Sequence, residues 1–194
     1  MACAVSVVAG QAHQPESVVA LVGARVYADP AAVPVDDAVV VVTGPRITAV
    51  GTRKDVPMPP GATTIDAIGL VVLAGFQNSH VHFTDEARWG AAASRPAAAL
   101  EANLREMLTR YGYTTVVDLA SFPDNTKALR RRVDSGEVGG PRILTAGAPL
   151  YPPDGVPYYV RDTLPADVVA TLPQPATPAA AIRSYSMPWS KSGR

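Results

Sequence analysis

Leu100, Leu104, Met107, Leu108 and Tyr111 recur at intervals of three and four residues, the spacing of one apolar helix face, and Gly112 then stops the pattern. Pro96 suits the first turn of that helix. Residues 113–120, Tyr-Thr-Thr-Val-Val-Asp-Leu-Ala, read as a short buried strand. A second helix is expected from a cap at Asp124 or Asn125 to about Ser135, with Gly136 as its end, and residues 142–146 form a further strand. Strands separated by single helices of this length pair in parallel through crossovers, in a sheet that stays open or closes into a barrel. The alternation makes this an α/β chain.

A different pattern precedes it. Residues 18–27, 37–43, 46–51 and 63–66 read as short strands, with four consecutive valines at 39–42 and Thr43-Gly44-Pro45-Arg46 as a tight connection. They make a small β-layer in which nothing looks catalytic. Between this layer and the alternation lies Leu70-Val71-Val72-Leu73-Ala74-Gly75-Phe76-Gln77-Asn78-Ser79-His80-Val81-His82-Phe83, an apolar lead-in that ends in two histidines. In an extended chain residues two apart share a face, so His80 and His82 present both imidazoles to one side, which is half of a metal site. An isolated His-x-His serves as readily as a pair of hydrogen-bonded strand residues, so the reading depends on context.

That context resembles the start of the metal-dependent amidohydrolase superfamily, in the manner of imidazolonepropionase or dihydroorotase. The likeness covers residues 18–150, where Gly69, Leu70, Gly75, Phe76, His80 and His82 stand where that family's pattern puts them. The sequence departs from it twice: Ala74 replaces the usual proline, and Gln77-Asn78-Ser79 replaces the usual Ile-Asp-x, so the acidic residue is missing. The resemblance implies a (β/α)8 barrel of the TIM type, preceded by strands of a small β-sandwich, with the site at the C-terminal ends of the strands. It implies hydrolysis of non-peptide carbon–nitrogen bonds, commonly in cyclic amides, by a water that one or two divalent ions activate, zinc first and manganese or iron as alternatives. His80 and His82 would be metal ligands. The family's other ligands, a lysine-type bridge, two histidines and a late aspartate, belong to later strands, and this chain is expected to reach only about the third.

The organisation expected is therefore a tail or remnant signal peptide at 1–17, sandwich strands at 18–69, the first βα units at 70–150, and a Pro-rich loop with an irregular tail at 151–194. Eight prolines between Pro149 and Pro178 support the loop. Asp118, near the end of a predicted strand, and Tyr151 and Tyr158, in a loop after a barrel strand, are candidate substrate contacts. The plainer reading of Asp118 is a loop-capping carboxylate. Asp85 and Glu86 either touch a bound water or begin a solvated loop, and Arg130, Arg131 and Arg132 fan out around a helix as a solvated face.

Seventeen basic residues against seventeen acidic ones give no net charge, so nothing favours nucleic acid or an anionic membrane surface. No run reaches the roughly 18 apolar residues of a membrane span. Cys3 has no second cysteine to pair with, and export remains open between a cytoplasmic and a secreted or periplasmic location. The partner expected is a small-molecule substrate, with a homo-oligomer open. Two competing expectations remain: a truncated product that hydrolyses nothing, and a small α/β binding module whose histidines are structural.

Overall fold

The computed structural model describes residues 16–185. The expected N-terminal tail or signal and most of the irregular C-terminal tail fall outside them, as do Cys3 and His13. The chain divides into two compact units, the first ending at Ala74 and the second starting at Gly75.

The first unit is one five-stranded sheet built from β1 (Val18–Tyr27), β2 (Val35–Thr43), β3 (Arg46–Thr52), β4 (Thr63–Asp66) and β5 (Val71–Leu73). The order is β3-β2-β1-β4, with β5 also beside β1. β1 pairs antiparallel with β2 and parallel with both β4 and β5. The pairing of Val71, Val72 and Leu73 with Arg25, Val26 and Tyr27 holds the apolar lead-in within this unit. Hence the boundary lies at Ala74 and Gly75, past the residue 69 to 70 boundary that the sequence suggests.

Two apolar clusters fill the sheet's faces. Ala20, Val22, Val39, Val41 and Val56 form one, and Ala24, Val26, Ala38, Val40 and Ala67 the other. The alternate positions 20, 22, 24 and 26 of β1 would share a face in a regular strand. The register instead slips at Gly23, so that Val22 faces Val39 and Ala24 faces Ala38, and the buried residues change sides. Gly23 sits at φ 92°, in the left-handed region, and a Cβ there would lie 2.6 Å from Ile68 Cγ1.

The second unit holds a three-stranded sheet in the order β6-β7-β8, made of β6 (Phe76–Val81), β7 (Tyr113–Asp118) and β8 (Arg142–Thr145), all parallel. A short helix α1 (Glu86–Trp89) and the longer α2 (Ala97–Met107) connect the first two strands, and α3 (Pro123–Asp134) connects the last two. This is the expected strand–helix alternation. Leu100 and Leu104 of α2, Leu129 of α3, Val116 of β7 and Ile143 of β8 are all fully buried in one cluster with Phe83 and Trp89. Phe83 and Trp89 meet edge to face with ring centroids 5.0 Å apart.

Several local expectations change. Met107 and Tyr111 are exposed, because α2 ends at Met107 and a 3₁₀ turn over Thr109–Tyr111 turns the backbone before Gly112. Phe122, not Asp124 or Asn125, precedes α3, whose first residue is Pro123. The Asn125 side chain instead accepts from the Ala92 amide and donates to the Trp89 carbonyl. The Pro-rich segment carries the short helices α4 (Tyr158–Arg161), α5 (Ala166–Ala170) and α6 (Pro178–Tyr185), where the sequence suggests a continuous loop; Pro157 and Pro165 stand just before the first two. Arg132 is no solvated residue: its guanidinium donates to the carbonyls of Ala92 and Arg95 and to Glu137.

Candidate metal centre

Leu70 to Phe83 does not fold as one buried strand. Leu70, Val71, Leu73 and Phe76 are each more than half exposed, and the stretch is shared between β5 and β6, which belong to different sheets. His80 is the penultimate residue of β6 and His82 follows its last, Val81. The ladder of β6 with β7 shifts once between Phe76 and Gln77 and again between Asn78 and Val81, after which Val81 faces Asp118. His80 lies in that second shift, where its amide donates to Asn78 Oδ1 at 3.0 Å in an Asx-type turn. Asn78, which stands where the family pattern has an acid, thus supplies a side-chain oxygen that completes the backbone bonding at the first histidine.

The two imidazoles converge as the strand period requires. Their rings are 5.1 Å apart and nearly perpendicular, and their Nε2 atoms face each other at 3.2 Å on an exposed surface. His82 Nδ1 lies 3.1 Å from the Ala120 carbonyl oxygen. A carbonyl only accepts, so Nδ1 carries the proton, and in the neutral ring Nε2 is the nitrogen that presents a lone pair. Two nitrogens each about 2.0–2.1 Å from one tetrahedral zinc ion lie roughly 3.3 Å apart, so the observed separation and the fixed tautomer fit two ligands of such an ion. The fit extends to two ligands: among the described residues no group of three or more histidine, cysteine, aspartate or glutamate side chains could hold a metal ion.

Asp118 ends β7 and is fully buried. Its Oδ1 accepts from Ser121 Oγ at 2.5 Å and its Oδ2 from Thr145 Oγ1 at 3.2 Å. Ser121 Oγ in turn accepts from the Phe83 amide at 2.7 Å. The carboxylate therefore faces two hydroxyls inside the protein, with no surface open to a substrate. Asp85 caps α1 by accepting from the Ala87 and Arg88 amides, which makes it a helix cap, and Glu86 lies in that helix's first turn. Tyr151 is half-buried, and burial, aided by Tyr159, pushes its phenol above the ordinary range; Tyr158 is 70% exposed and stacks edge-on with Tyr159. No contact among the described residues joins either tyrosine to the histidines. Sequence reasoning passed over Ala120, Ser121 and Thr145, whose roles arise from a carbonyl and two hydroxyls that carry no motif.

Comparison with solved structures identifies the architecture. The chain is similar to a prolidase solved with N-methylphosphonate-L-proline, at 30% identity over 72% of this chain and 34% of that one, with a TM-score of 0.52. It is similar to phenylurea hydrolase B at 28% identity, over 68% and 31% of the two chains, with a TM-score of 0.57. The chain matches the N-terminal part of amidohydrolase-superfamily enzymes. Molinate hydrolase shares the fold at 23% identity and a TM-score of 0.58, over 82% of this chain and 37% of that one. The present chain thus spans about a third of the length of the amidohydrolases it matches. Neither protein-family models nor curated proteins give a match. Among the described residues, no helix of this amidohydrolase-type fold is long and apolar enough to cross a membrane.

Proposed function

We propose that this chain is the opening portion of a metal-dependent hydrolase that acts on non-peptide carbon–nitrogen bonds of small molecules, cyclic amides or related compounds among them. The facing Nε2 atoms of His80 and His82, 3.2 Å apart with one tautomer fixed, carry the reading. The strand–helix alternation of the second unit supports a (β/α)8 barrel begun by β6, β7 and β8, with both histidines at the C-terminal end of the first strand, where such barrels place their chemistry. Bound there, a divalent ion, zinc by its preference for imidazole, supplies Lewis-acid activation of water. His80 and His82 hold it, and Ala120 keeps His82 in the binding tautomer.

Two imidazoles are fewer than the three protein ligands of a catalytic zinc site, so we read these 194 residues as able to bind metal weakly and to hydrolyse nothing alone. Equilibrium dialysis against Zn²⁺ or Co²⁺ tests the proposal. One ion per chain is expected, lost in His80→Ala and in His82→Ala and kept in His13→Ala. Binding that ignores both substitutions, or none at millimolar metal, would overturn it.

A further inference from the structure

Asp118 is the one fully buried carboxylate among the described residues, and the metal reading gives it no task. Both of its partners are neutral hydroxyls, so no cation offsets the cost of burying its charge. The arrangement is directional. Each hydroxyl accepts from a backbone amide, Ser121 from Phe83 at 2.7 Å and Thr145 from Gly147 at 3.0 Å, and so must donate its own proton to the carboxylate. Asp118 thereby ties together the ends of β6, β7 and β8.

The β6 end is the one that carries His82. The segment Ala120-Ser121 grips this histidine twice: Ala120 accepts from its ring at 3.1 Å, and Ser121 accepts from the amide of the next residue, Phe83. Ser121 holds its place because it donates to Asp118 Oδ1. We infer that Asp118 and Ser121 are positioning residues for His82: the buried carboxylate sets the Ser121 hydroxyl, which fixes residues 120 and 121 against residues 82 and 83 and so holds the imidazole with its proton on Nδ1. Asp118 consequently acts through His82, without touching substrate. The meaning of this for catalysis rests on the metal proposal; the positioning itself does not.

An amide at position 118 tests the point with little change of shape. Asp118→Asn would bring an NH₂ group toward one of two hydroxyls that must donate, so one of them would turn away from its backbone amide. The experiment uses the metal-free 194-residue chain at pH about 9, above the ordinary histidine range, and reads ¹⁵N shifts of the three histidine rings. In the wild type His82 should show one tautomer, protonated at Nδ1. Asp118→Asn and Ser121→Ala should move it toward the mixed tautomers of a free imidazole, whereas Ser121→Thr, which keeps the hydroxyl, should restore the single form.

Zn²⁺ affinity, measured by dialysis on the same proteins, should fall by about 10–100-fold in the first two variants, the usual effect of removing a partner that orients a metal-bound histidine. Trp89 fluorescence, read with Trp189→Phe in every protein, checks that the second unit stays folded; should Asp118→Asn unfold it, the milder Ser121→Ala decides. A single His82 tautomer in a folded Ser121→Ala protein overturns the inference, even if stability drops. A tautomer shift in a protein that binds no zinc supports the positioning role and sinks the metal reading.

Discussion

Gly75→Ala should damage the second unit out of proportion to one methyl group. Gly75 precedes β6, and a Cβ built on it would lie 2.2 Å from both Cγ2 and Oγ1 of Thr114 on the neighbouring β7, and 2.7 Å from Thr114 Cβ. Thr114 is exposed and its γ atoms can rotate away, but Cβ moves only with the backbone. The strands must therefore part at the point where the Phe76 amide donates to the Gly112 carbonyl at 2.8 Å. Overpacking of this kind costs about 1–3 kcal/mol.

Thr114→Gly removes all three of these atoms, at a cost of roughly 0.5–1 kcal/mol for glycine in a strand. The double variant should then be no less stable than Thr114→Gly alone, a coupling of about 1–3 kcal/mol between neighbours. Thr114→Ala, which leaves the 2.7 Å contact, should rescue only in part. The assay is urea unfolding followed by Trp89 fluorescence, with Trp189→Phe throughout so that the tryptophan buried beside Phe83 is the only one reporting. Additive effects of Gly75→Ala and Thr114→Gly, or an unchanged midpoint for Gly75→Ala, would refute the reasoning.

Thr126 is fully buried on α3 with no hydrogen-bond partner for its hydroxyl among the described residues, so Thr126→Val should raise stability by about 1 kcal/mol in the same urea assay, and a loss would show an unrecognised partner. Glu137 is held below the ordinary carboxylate range first by its hydrogen bond from Arg132, with their charge attraction adding and burial opposing. A depressed carboxyl stabilises above its unfolded value, about 4.3, and loses that contribution as pH falls through the lower folded value. Urea midpoints of wild type and Glu137→Gln should therefore differ by a constant amount above pH about 6 and converge in acid below pH about 4. A gap that persists unchanged at low pH would mean the carboxylate's charge is not what matters.

What could be read from the sequence is what neighbours in the chain decide. The strands of the β-layer, the turn at Gly44, α2 with its buried Leu100 and Leu104, and the β7 and β8 strands all follow from short-range periodicity and from glycine or proline at their ends. The convergence of His80 and His82 is of the same kind, because a two-residue spacing on an extended chain fixes the common face. The division of Leu70 to Phe83 was not legible. An apolar run does not record that Val71 to Leu73 will bond to Arg25 to Tyr27 while Phe76 to Val81 joins another sheet. Nor did the valines of β2 reveal that a slip at Gly23 gives them two apolar faces to fill.

The sequence alone set the type of the β-layer strands and of α2, α3, β7 and β8, the common face of His80 and His82 and the absence of net charge, since these depend on local spacing and composition. Tertiary structure decided the rest of the site. It brought Ala120, Ser121 and Thr145, all far along the chain from His80, to bear on one buried carboxylate and one ring nitrogen. Hydrogen bonds between distant strand ends depend on how those strands align, and alignment is settled only when the sheet forms.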